Sequence, residues 1–96
     1  MKPSDALAKH APDIRAAASR HNVVNARVFG STARGQDRDG SDLDILVDTL
    51  PETSLFDVIR LENELHDLLG VKVDILTSSG LHRFIRDRVI AECRTI

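Results

Sequence analysis

Asp42 and Asp44 flank Leu43 at the head of an alternating run, DLDILVD, and Asp74 holds the same phase in VKVDILT. Successive side chains of a strand point to opposite faces. A strand that turns Leu43, Ile45 and Val47 to one side therefore turns Asp42 and Asp44 to the other. Val71, Val73 and Ile75 do the same for Asp74. Three carboxylates on one sheet face repel one another and raise each other's pKa values unless a cation sits among them. No lysine or arginine is evidently assigned to that task. Hard oxygen donors with no histidine or cysteine beside them suit Mg²⁺, or Mn²⁺, rather than zinc. Mg²⁺ is commonly held by one or two carboxylates plus substrate phosphates, so three could support two ions ~3.5–4 Å apart.

Ten residues separate Asp42 from the Gly30-Ser31 pair upstream. A glycine lets backbone approach closely, and the N–H groups at a helix start favour anions. Ser31 adds a hydroxyl donor. Together they make a seat for phosphate oxygens beside a metal, which is what phosphoryl or nucleotidyl transfer requires. Each half alone has an ordinary explanation, Gly-Ser as a turn and Asp-x-Asp as a solvated strand edge. The joint spacing carries the specificity. Around it, Arg34 either touches a phosphate or is a solvated arginine. Ser41 either reaches the nucleotide tail or caps the loop. Lys72 shares the phase of Asp74 and either pairs with it or extends to solvent. His10, His21, His66 and His82 are dispersed without metal-ligand spacing and read as surface residues.

The elements that must position these groups fit one domain, residues 1–96, with an aliphatic core, since Trp and Tyr are absent and only three Phe occur. Ser4 is placed to cap a first helix with Leu7, Ala11, Ile14 and Ala18 inward, and Pro12 either kinks that helix or opens a restarted one. Val23 to Phe29 reads as a strand, 30–34 as a helical turn, 35–40 as a polar loop, and Asp42 to Val47 as the second strand. Ser54 caps a helix with Leu55, Val58, Ile59, Leu65, Leu68 and Leu69 as one stripe, ended by Gly70. Val71 to Thr77 is the third strand. Leu81 to about Arg94 is a closing helix with Phe84, Ile85, Val89 and Ile90 inward. The short first link makes the first two strands antiparallel, and the helical crossover makes the next pair parallel. The expected fold is α/β (α+β), a small mixed sheet with helices on one face, in the order α-β-β-α-β-α.

Net charge is −2, against a nucleic-acid surface, so no direct nucleic-acid binding is expected. Cys93 is the lone cysteine, which excludes an intrachain disulfide or a Cys-based zinc site and reads as a small apolar helix residue. No apolar run is long enough for a membrane span, and no signal-peptide core is evident, so a cytoplasmic protein is expected.

PSDALAKH, VFGSTARG, GSDLDILVD, VKVDILT and LHRFIRDRVIAE together resemble the DNA polymerase β-like nucleotidyltransferase superfamily, and more closely its minimal nucleotidyltransferases, the MNT or MntA-like proteins. The resemblance covers nearly the whole chain. It implies that Asp42 and Asp44 bind both metals, that Asp74 completes the catalytic metal site, and that Gly30 and Ser31 hold the triphosphate of ATP. It also implies a HEPN-domain partner, with AMP transferred from ATP to a tyrosine of that RNase toxin in a toxin–antitoxin pair. With no room in 96 residues for an acceptor-gripping domain, something else must present the attacking hydroxyl. The alternative from another class is an antitoxin that neutralises its partner by occlusion. Transfer to a small molecule would need an acceptor pocket.

Overall fold

The computed structural model describes residues 1–96. The chain runs α1 (Pro3–Arg20), β1 (Val23–Phe29), α2 (Gly30–Ala33), β2 (Leu43–Thr49), α3 (Leu55–Leu69), β3 (Val73–Thr77), α4 (Arg83–Glu92) and β4 (Arg94–Thr95), with a single 3₁₀ turn at Ser78–Gly80. The four strands lie in the order β3-β2-β1-β4. β1 and β2 are antiparallel, with Val28 opposite Ile45 and Phe29 opposite Asp44. β2 and β3 are parallel, with Leu43 beside Val73 and Asp44 beside Asp74. Both pairings are those the connection lengths predict. A bulge between Val24 and Arg27 breaks the first ladder, and Asn25 within it adopts φ 56°.

The core lies between one sheet face and α1 and α3. Leu43, Ile45, Val47, Val73 and Ile75 meet Ile14, Ala17, Leu61 and Leu65 there, all of them buried. Ser54 caps α3 as expected, with a reciprocal bond between Asp57 and the Ser54 N–H, and Gly70 ends it at φ 69°. The buried stripe of α3 is Leu61, Leu65 and Leu69, whereas Leu55, Ile59 and Leu68 are exposed. Of the expected stripe, Leu65 and Leu69 are buried and Val58 packs against the core, while Leu61 takes the place of the exposed positions. The helix carries more apolar residues than one face buries, and packing against α1 and the sheet selects among them.

Two further corrections concern the ends. Ser4 does not cap α1. The helix starts at Pro3, and the Ser4 N–H donates to Asp37 Oδ2 at 2.7 Å, so the cap comes from the loop before β2. Pro12 falls in the first turn of a restarted segment, because the helix kinks at His10 (φ −119°, ψ 16°). The closing helix stops at Glu92, and Arg94–Thr95 adds a short edge strand to β1. α4 buries none of its residues, and Phe84, Ile85 and Ile90 are exposed rather than inward.

Asp37 is buried, and the backbone N–H of Ser4 holds its carboxyl below the ordinary range. Because its folded pKa is depressed, the stability it supplies is full above the ordinary carboxyl value of 3.8 and is lost as pH falls through the lower folded value. Asp37→Ala is expected to cost about 1–2 kcal/mol at neutral pH, the worth of a charged helix cap. Urea melts of variant and parent should converge in acid; a gap that persists there would contradict this account.

Candidate active site

The site begins with strand phase. Leu43 and Ile45 are in the core, so Asp44 between them faces the opposite side of β2, as does Asp42 one step before the strand. Val73 and Ile75 are likewise in the core and place Asp74 on that same side. Parallel register then makes Asp44 and Asp74 direct neighbours. The consequence is electrostatic. Burial, followed by the charges of Asp74 and Asp42, pushes the Asp44 carboxyl above its ordinary value, and Arg34 and Lys72 only partly oppose this.

The same register explains the third carboxylate. One step before Leu43–Val73, Asp42 stands beside Lys72, and Lys72 Nζ lies 3.7 Å from Asp42 Oδ2. A cation therefore does sit among the acids, contrary to the sequence reading, and its partner is Asp42 rather than Asp74. Alternation alone could not reveal this, because it gives the phase of each strand but not the offset between two. With Asp42 turned to Lys72, no three carboxylates, imidazoles or thiols stand close enough to share one ion.

Antiparallel pairing brings the Gly30 turn to Asp44 through the Phe29–Asp44 pair. Gly30 has φ 71°, and a Cβ placed on it would stand 2.6 Å from Asp44 Oδ2. The left-handed backbone favours glycine here, and any side chain would also make the end of the Asp44 side chain shift. Ser31 follows in the single turn of α2, half-buried. Thr32 behind it is buried, and its hydroxyl has no hydrogen-bond partner.

The other two candidates are engaged within the chain. Arg34 Nε donates to Gln36 Oε1 at 3.2 Å, and its Nη1 lies 3.7 Å from Glu92 Oε2 in α4. Ser41 Oγ accepts from the Arg38 N–H at 2.9 Å and closes the loop before Asp42, the capping role among its two alternatives. The histidines stay apart from the three aspartates: His10 pairs with Asp13, and His21 lies 3.5 Å from Glu64. At the far end of β2, Asp48 gathers Arg27 (2.9 Å), Asn25 (2.8 Å) and Ser78 (2.7 Å). Burial would raise its pKa, but these hydrogen bonds outweigh burial and leave it lowered. That cluster fastens the bulge to β2. It explains a fourth in-phase aspartate as structural.

In chemical terms, the sheet edge offers two adjacent carboxylates with unfavourable mutual charge, a third held by a lysine, and a glycine turn pressed against them. Hard cations and phosphate oxygens suit this donor set. No helix of the chain is long and apolar enough to cross a membrane.

Known proteins share this fold and parts of this sequence. A solved minimal nucleotidyltransferase structure superposes with a TM-score of 0.89 at 39% identity, covering 97% of this chain and 95% of that one. Protein adenylyltransferase MntA of Thermococcus cleftensis is 40% identical over 86 residues, 90% of this chain and 84% of that protein. The MNT antitoxin complexed with a tri-AMPylated HEPN toxin of Shewanella oneidensis has the same fold, with a TM-score of 0.60 at 16% identity over 97% of this chain and 67% of that one. Residues 12–96 match the nucleotidyltransferase domain, the stretch that carries the glycine turn and all three aspartates. The fold and the sequence agree, and the chain belongs to the nucleotidyltransferase family.

Proposed function

We propose that this nucleotidyltransferase moves AMP from ATP onto a hydroxyl of a protein partner, a HEPN-domain toxin, and so acts as the antitoxin of the pair. The observation that carries the reading is the Asp44–Asp74 register pair pressed against Gly30. Support for the protein acceptor comes from the relative named as a protein adenylyltransferase and from the MNT–HEPN assembly of the same fold.

In this reading Asp44 and Asp74, together with Asp42, would hold Mg²⁺. The ion, when bound, supplies charge neutralisation at the phosphates. Gly30 and Ser31 seat the triphosphate, and Arg34 and Ser41 flank it. The acceptor oxygen forms a bond to the α-phosphorus as the bond to the pyrophosphate oxygen breaks. The hydroxyl proton passes to a carboxylate of the site. The partner presents the hydroxyl in line, and positioning of this kind is the main work of phosphoryl transfer.

Because the protein's own donors amount to a pair plus a lysine-bound third, Mn²⁺ alone should bind weakly and ATP should tighten it. Calorimetry with and without ATP measures this; equal, negligible heats in both cases would remove the metal reading. The activity is tested by incubating chain and HEPN partner with ATP and Mg²⁺ and weighing the partner by mass spectrometry. An added AMP residue is expected. A stable complex with no mass change would favour neutralisation by occlusion.

A further inference from the structure

We infer that Glu92 in α4 stands in for the triphosphate: it holds Arg34 while no nucleotide is bound and gives it up when phosphate arrives. The inference rests on the proposed contact between Arg34 and the nucleotide. Arg34 leaves the phosphate turn directly, three residues after Ser31. Its two ends are both held. Nε donates to Gln36 on the same loop at 3.2 Å, which fixes the plane of the guanidinium. Nη1 faces the Glu92 carboxylate at 3.7 Å, and the other Glu92 oxygen is 3.5 Å from Arg88 Nε. A guanidinium presents donors to carboxylate and phosphate with the same geometry, so a triphosphate and Glu92 compete for one group. Both side chains of the pair are substantially exposed, and such pairs exchange easily.

What makes the exchange consequential is how little else holds α4. None of its residues is buried, and the chain after it is held to the sheet only by Arg94, Thr95 and Ile96, whose N–H donates to Ala26 O at 3.1 Å. The Arg34–Glu92 pair is thus one of few ties between α4 and the body of the site. Once Arg34 turns to phosphate, α4 should loosen. Its exposed Phe84 and Ile85 would then respond to nucleotide although they lie on no part of the phosphate seat.

Affinity for ATP with Mg²⁺ should be measured by calorimetry on the full chain for Glu92→Gln, Arg34→Ala and the double variant, with Asp87→Asn as a control for removing a negative charge from α4. Glu92→Gln is expected to tighten ATP about two- to fivefold, the worth of one exposed ion pair. Arg34→Ala should weaken it, and in that background Glu92→Gln should change nothing. Asp87→Asn should have no comparable effect. Hydrogen exchange supplies a second readout: ATP should speed exchange of the α4 amides in the parent, and Glu92→Gln should exchange fast without ATP. If Arg34→Ala weakens ATP but Glu92→Gln does not tighten it, the stand-in role is overturned and the Arg34 contact survives. Tightening that persists without Arg34, or that Asp87→Asn reproduces, would show a general charge effect and also overturn it. Unchanged ATP affinity in Arg34→Ala would overturn the contact itself.

Discussion

Asp44→Asn is expected to abolish transfer while leaving the metal-free domain as stable as the parent or more so. In the folded chain Asp44 is held beside Asp74 with Asp42 close by, and burial together with those charges raises its pKa. A carboxyl whose folded pKa is raised costs stability wherever it is ionised. The cost is full above the folded value and vanishes below the ordinary value of 3.8. Asparagine removes the charge and keeps the shape, so the melting temperature in excess EDTA should stay level or rise by a few degrees at neutral pH, with no gain in acid. Activity behaves oppositely. Loss of charge stabilisation worth several kcal/mol should lower the transfer rate by roughly a thousandfold or more. A destabilised Asp44→Asn variant that still transfers AMP at the parent rate would refute the role given to Asp44.

The second large effect is expected at Gly30. A side chain there would obstruct incoming phosphate, but the structure gives a more immediate reason for harm: the Cβ would strike Asp44 Oδ2 at 2.6 Å. Gly30→Ala also forces an L-residue to φ 71°, which costs roughly 1–2 kcal/mol by itself. The two costs can be separated by repeating the substitution in an Asp44→Ala background. There the clash is gone and only the backbone cost should remain, so the stability penalty should shrink to about 1–2 kcal/mol. Transfer should already be lost in the single variant, because the displaced carboxylate no longer stands beside Asp74. Equal penalties in the two backgrounds, or AMP transfer surviving Gly30→Ala, would mean that the close approach has no bearing on the site.

Strand phase made the three aspartates legible in the sequence. Apolar residues on both sides of Asp44 and Asp74 set their phase, and burial of Leu43, Ile45, Val73 and Ile75 enforces it, although Leu46 and Leu76 break the alternation farther along. Connection length gave the pairing directions for a similar reason, since a helical crossover and a short link permit few geometries. Facts about offset and distance were not legible. That Lys72 meets Asp42 depends on the parallel register, which no single strand encodes. That Asp37 caps α1 depends on a loop closing over 33 residues. The α4 error has another source. Phe84, Ile85, Val89 and Ile90 have helical spacing, and spacing marks an amphipathic element without saying what it faces. In this chain α1 and α3 already cover the core side of the sheet, and Phe84, Ile85 and Ile90 of α4 remain exposed while Val89 is half-buried.

The bond from Ser4 to Asp37 also bears on the order in which the site assembles. The loop that delivers Asp42 is pinned by the first turn of α1, far away along the chain, as well as by its own Arg38–Ser41 bonds. Until that helix has docked, the stretch from Asp37 to Asp42 lacks one of its anchors. The same tether works in reverse during unfolding. Fraying at the front of α1 releases the loop before any strand parts, so loss of transfer should precede loss of the fold, with the first helix acting as an early fuse for the site.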